Sequence, residues 1–141
     1  LFRQLYLEEQ LVDVIQGSAL DSRDAPLFSI IARVTDVARI HDVRDAIYEE
    51  IERLKTEPVD TAILDSTKSH MRYGFAMGLN SPGQIARTLS HYLQLTEDPQ
   101  TVNRVYDLYE AVSPDDIMMV ANTYFSNSNR TVVVLTAEEG Q

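Results

Sequence analysis

The sequence predicts an α+β fold, an antiparallel sheet with helices packed on one face, and three observations carry that prediction. Two stretches of strand length, Val12–Leu20 and Leu27–Val34, flank a turn-rich connector near the start of the chain. A long middle section, from about Asp36 to Phe125, repeats its apolar residues every three or four positions. Near the end, Arg130–Thr136 is a β-branched run of strand length. Strands followed by helices and a return strand are the order of an α+β domain, not of alternating βαβ units.

Leu1 and Leu5, with Phe2 beside them, share a helical face, so residues 1 to about 10 read as the end of a helix. Alternation then takes over. Val12, Val14, Gln16, Ser18 and Leu20 fall on one side, and Asp13, Ile15, Gly17 and Ala19 on the other. Asp21-Ser22-Arg23-Asp24-Ala25-Pro26 is the connector, and the two strands are expected to form a hairpin across it. In the next helix Val43, Ile47, Ile51 and Leu54 line one face, with Arg44, Asp45, Glu49, Glu52 and Arg53 opposite. Pro58 interrupts, and Ile63, Thr67, Met71 and Phe75 are expected to form the inner row of a longer helix.

Three further helices declare their starts with a polar cap followed by proline: Ser81-Pro82, Asp98-Pro99 and Ser113-Pro114. The cap oxygen accepts a first-turn N–H that has no intrahelical partner, and proline lacks the N–H that would be unpaired there anyway. Gln84 stands three residues after its cap, the reciprocal position of a capping box. Behind these starts lie Ile85, Leu89 and Leu93, then Val102, Val105, Leu108 and Tyr109, then Ile117, Val120, Ala121 and Tyr124. The unbroken apolar centre of Arg130–Thr136 predicts a strand buried on both faces.

At 141 residues and 44% hydrophobic content the chain is expected to form one domain, residues 1–141, with a substantial core. A net charge of -10 argues against nucleic acid and anionic membrane as partners, since both call for positive charge facing them. With no cysteine, disulfides, thiolate zinc sites and cysteine nucleophiles are excluded. No apolar run is long enough to span a bilayer, and no basic-then-apolar leader is present. A soluble protein is expected, and cytoplasm and periplasm are both compatible with the composition. The chain opens inside a helical pattern without a cap, which reads as part of a longer polypeptide truncated at its N-terminus.

No catalytic constellation emerges from the residues. His41, His70 and His91 are the only histidines, and none has another three or four positions away, so helical metal pairs are absent. Neither His-Glu-x-x-His nor His-x-x-Glu-His occurs, nor does a Gly-x-Ser-x-Gly elbow or a glycine-rich phosphate loop. Glu49, Glu50 and Glu52 read as a solvated helix face, and Tyr106, Tyr109 and Tyr124 as packing residues. Catalytic, cofactor-binding and metal-ligating residues are therefore all set at none.

The succession of segments is more informative than any one of them. Residues 1–17, the loop and strand Arg23–Ile30, the helix end Glu50–Leu54, Ser113–Ile117, Asn122–Phe125 and Arg130–Val134 follow one another as in the second domain of a half of the pitrilysin/insulinase family of zinc metallopeptidases, which the whole chain resembles. The resemblance implies a chamber of homologous α+β domains, of the mitochondrial-processing-peptidase-like type, in two halves. One half carries zinc on an inverted His-x-x-Glu-His motif, absent here. The other supplies an Arg and a Tyr, seven residues apart, that hold substrate. The positions aligned with that pair are Tyr6 and Asp13, which cannot reproduce guanidinium or phenol chemistry there.

By this resemblance the chain is expected to be a non-catalytic domain, inactive alone, with zinc belonging to the parent protein or its partner. Its partners would be its own N-terminal peptidase domain or a homologous subunit, and the parent's peptide substrate. The alternative is a structural or assembly subunit without proteolytic activity, as the core proteins of the respiratory bc1 complex resemble peptidases. In either case apolar surface is expected at the partner-facing edge, beginning at Leu1 and Phe2.

Overall fold

Val12–Ala19 (β1) and Phe28–Val34 (β2) pair antiparallel in a computed structural model that describes residues 1–19, 22–24 and 27–136. Leu20, the outermost residue of the expected first strand, and Asp21, Ala25 and Pro26 of the connector lie outside the described residues. The helices are α1 (Ile40–Thr56), α2 (Thr61–Gly78), α3 (Pro82–Thr96), α4 (Thr101–Ala111) and α5 (Pro114–Tyr124). The predicted α+β class is thus the observed one. The chain divides into two compact units, Leu1–Ala19 with Phe28–Glu57 and Met118–Gln141, and Leu20–Leu27 with Pro58–Ile117.

In the first unit the ladder corrects the expected strand faces. Val12 pairs with Val34, but Val14 pairs with Arg33, which leaves Asp13 as an extra residue in β1. Such a bulge reverses the alternation at one point. Val12 therefore joins Ile15 on one face, and both pack with Leu5, Leu11 and Val43 in the buried cluster. Ala32 and Val34 from β2 and Ala46 and Ile47 from α1 close around it, so α1 covers this face of the sheet. Leu5 is 0% exposed, and Val12 and Val43 are 2% exposed.

The expected helix at the start of the chain is a π-helix over Phe2–Glu8. Its wider winding brings residues five apart together, and the side chains show it: Arg3 pairs with Glu8 and Gln4 with Glu9, both at 2.9 Å. The chain then reverses through Gln10, whose φ of 52° is left-handed, and the Leu11 N–H donates to the Leu5 carbonyl at 2.9 Å. The left-handed region strains a residue carrying a Cβ. Here it delivers Leu11 and Val12 to the same core as Leu5.

The closing strand is not there. Residues 130–136 belong to no helix or strand, and among the described residues the sheet has two strands. Burial on both faces is corrected too, since Val133 is 75% and Leu135 93% exposed. A β-branched run has the propensity for a strand, but the strand itself exists only where a neighbour completes its hydrogen bonds. The segment's start is nevertheless tied down. The Arg130 guanidinium stacks 3.7 Å above the Tyr48 ring of α1, and Phe28 meets Phe125 at 5.2 Å. Asn122 of α5 also donates to the Lys55 carbonyl at 2.9 Å, capping the end of α1.

Of the three predicted cap-and-proline starts, those at Ser81 and Ser113 are kept and that at Asp98 is not, and not all of the predicted helix faces hold. Ser81 accepts from the Gln84 N–H at 3.3 Å, as its cap position requires. Ser113 and Asp116 bond reciprocally. The Asp116 carboxylate accepts from the Ser113 N–H at 2.8 Å and its hydroxyl at 2.6 Å, and Ser113 Oγ accepts from the Asp116 N–H at 3.2 Å. The Asp98-Pro99 start is displaced: α4 begins at Thr101, and Asp98 closes a turn by accepting from the Gln100 N–H at 2.8 Å.

On α2 the half-buried residues include Leu64, Lys68 and Phe75, so of the expected row Phe75 is sheltered whereas Ile63, Thr67 and Met71 are exposed. The Lys68 ammonium donates to the Glu110 carbonyl of α4 at 2.8 Å, and Phe75 meets Tyr106 edge to face at 4.5 Å. These two contacts set the rotation of α2 against α4. On α3 the expected inner residues Ile85, Leu89 and Leu93 are likewise exposed, and Thr88, Tyr92 and Leu95 are the sheltered ones. Leu108, Val120 and Tyr124 also lie on exposed faces.

Leu5→Ala is expected to cost about 2–5 kcal/mol, because a filled and fully buried position becomes a cavity. Ile63→Ala, at a position 66% exposed, is expected to stay within about 0.5 kcal/mol. Urea unfolding of the two variants checks this, and equal losses would show that the core is not centred on Leu5.

Candidate functional site

Tyr6 and Asp13 fall on different elements of the first unit. Tyr6 sits in the π-helix, 39% exposed, with its ring stacked on Phe2 at 4.8 Å and 15°. Asp13 is the extra residue of the β1 bulge. Its carboxylate accepts from the Arg33 guanidinium at 2.7 Å across the hairpin. That hydrogen bond, aided by the guanidinium charge, holds the Asp13 carboxyl below the usual carboxylate range, with burial opposing the shift. The Arg33 guanidinium is correspondingly held in its charged form.

Arg33 escaped the sequence reading. Strand alternation alone does not place it against Asp13, since that contact depends on the bulge. The only available signal was an Arg on the second strand of a hairpin whose first strand carries an Asp.

The first unit also presents an apolar groove of about 210 Å³. Phe2, Ile15, Phe28, Ile51, Leu54 and Phe125 supply most of its wall. Glu50 is the one ionisable group on it, and Arg53 holds that carboxylate through two hydrogen bonds of 2.9 and 2.5 Å. They push the Glu50 carboxyl below its ordinary range and keep Arg53 charged. A carboxylate so engaged is a poor proton donor or acceptor near neutral pH. The groove can shelter apolar side chains, and its walls supply no nucleophile.

The second unit has a shallow cavity of about 340 Å³ between α2 and α4, bordered by Arg72, Phe75, Tyr106, Asp107 and Glu110. The Tyr106 hydroxyl is buried and, among the described residues, has no hydrogen-bond partner. Burial first, then the neighbouring Tyr92 and Tyr109, raise its pKa above the ordinary phenol value, so it stays protonated.

The three histidines are exposed and lie on three different helices. His70 Nδ1 lies 3.2 Å from the Ser66 carbonyl one turn back, and the His91 ring meets Tyr92. Among the described residues no three His, Asp or Glu side chains approach closely enough to hold a metal ion. Among them, too, no helix is long and apolar enough to cross a membrane.

These elements define an α+β domain of a fold that occurs in proteases. The crystal structure of a protease from Helicobacter pylori superposes on 90% of this chain with a TM-score of 0.81 at 22% sequence identity, and the chain spans 30% of that protein's length. No protein-family model matches the sequence, and no curated protein does either. At this identity the likeness establishes the fold.

Besides Glu50, two carboxyl groups are expected to titrate low, Asp13 through Arg33 and Asp116 through the Ser113 hydroxyl and N–H. Each therefore contributes stability above the unfolded carboxylate pKa of about 3.9 and loses it as pH falls through the lowered folded value. Carboxyl NMR titration checks this. Arg33→Gln should raise the Asp13 midpoint without moving that of Asp116, and Ser113→Ala should raise the Asp116 midpoint, part of the lowering being retained through the backbone N–H, without moving that of Asp13. Midpoints that ignore both substitutions would show that the pairs do not form in solution. Ser113→Ala should also cost about 1 kcal/mol of stability through the lost cap.

Proposed function

We propose that this chain is a non-catalytic domain of a zinc metallopeptidase of the pitrilysin/insulinase type. It forms part of the wall of a substrate-enclosing chamber and packs against the zinc-bearing domain. The observation that carries this reading is the fold shared with part of a protease more than three times as long as the matched stretch. Three features support it. The apolar groove lined by Phe2, Phe28 and Phe125 suits a wall that shelters apolar side chains. The exposed run Val132–Leu135 and the exposed Phe2 ring are apolar surface of the kind that marks contacts with a neighbouring domain. The ionisable groups beside the groove, Glu50 and Arg53, are engaged with each other.

In this reading the chain contributes shape and apolar contact, and the hydrolytic chemistry belongs to its partner. Zinc there would activate water and polarise the scissile carbonyl, which needs three protein ligands and an open position. The partner is the upstream peptidase domain of the same polypeptide or a homologous subunit, and the parent's substrate is a peptide.

A second reading is a structural or assembly subunit related to the peptidases but without activity. It is favoured by Asp13, whose carboxylate is committed to Arg33 where the family resemblance expects a phenol that holds substrate.

The full-length gene product decides between them. A peptidase parent should carry His-x-x-Glu-His in its other domain, hydrolyse peptides in a chelator-sensitive way, and lose that activity when this domain is deleted. A full-length protein that assembles stably but cleaves nothing, with or without zinc, would overturn the first reading in favour of the second. The 141-residue chain alone should take up no stoichiometric zinc and cleave no peptide. Zinc at one per chain, lost on replacing His41, His70 or His91, would overturn its assignment as non-catalytic. Co-expressed with the upstream region, it should co-purify with it.

A further inference from the structure

We draw no further inference here: the strongest candidate, the exposed apolar run Val132–Leu135 that follows the Arg130–Tyr48 stack in the first unit, carries nothing beyond the partner contact already proposed because nothing in the structure shows what covers it.

Discussion

Leu5 must be buried, and the geometry of the first unit follows from how that is done. Its side chain is closed off by Leu11, Val12 and Val43, three residues from a loop, a strand and a helix. Bringing Leu11 and Val12 back over a residue so close in sequence requires a sharp reversal, and Gln10 supplies it from the left-handed region. The resulting Leu11-to-Leu5 hydrogen bond satisfies backbone groups that the reversal would otherwise leave unpaired. The Thr35 N–H then donates to the Leu11 carbonyl at 3.0 Å, tying the far end of β2 to the same point. Burial of one leucine thus sets the chain path into β1 and the place where the hairpin ends.

The bulge at Asp13 belongs to the same arrangement. Without an extra residue, strict alternation would point Val12 and Ile15 to opposite faces, and one of them would be turned away from α1. With it both face the core, and Asp13 is left over on the outside, where Arg33 neutralises it. A pair this exposed adds little to stability. Its effect is local: it ties up the Asp13 carboxylate. Tyr6 is held by stacking on Phe2.

The second unit is held differently. Its helices shelter their inner rows only partly, and α2 and α4 are joined by an aromatic contact, a lysine-to-carbonyl hydrogen bond and the Arg72–Glu110 ion pair at 3.8 Å. Arg23 reaches Glu97 at 3.2 Å, and the Thr96 and Thr101 hydroxyls meet at 2.7 Å across the α3–α4 turn.

What the sequence by itself determined were the features decided locally. The α+β class, the hairpin, and the starts of α3 and α5 at Ser81 and Ser113 were legible because caps, prolines and apolar periods act within a few residues. The lack of a helical histidine pair and of a nucleophile elbow could be read in the same way, since those motifs are defined by spacing. Only the tertiary structure decided the rest. Helix rotation on α2 and α3 depends on which of several apolar rows meets a neighbour, and Ile63 and Leu64 are equally apolar to a pattern. The bulge depends on competition between Val12 and Ile15 for one core, and the Asp13–Arg33 pair on the register that results. Arg130–Thr136 shows the limit most plainly: its residues carry strand propensity, but a strand is a property of two segments, and propensity resides in one.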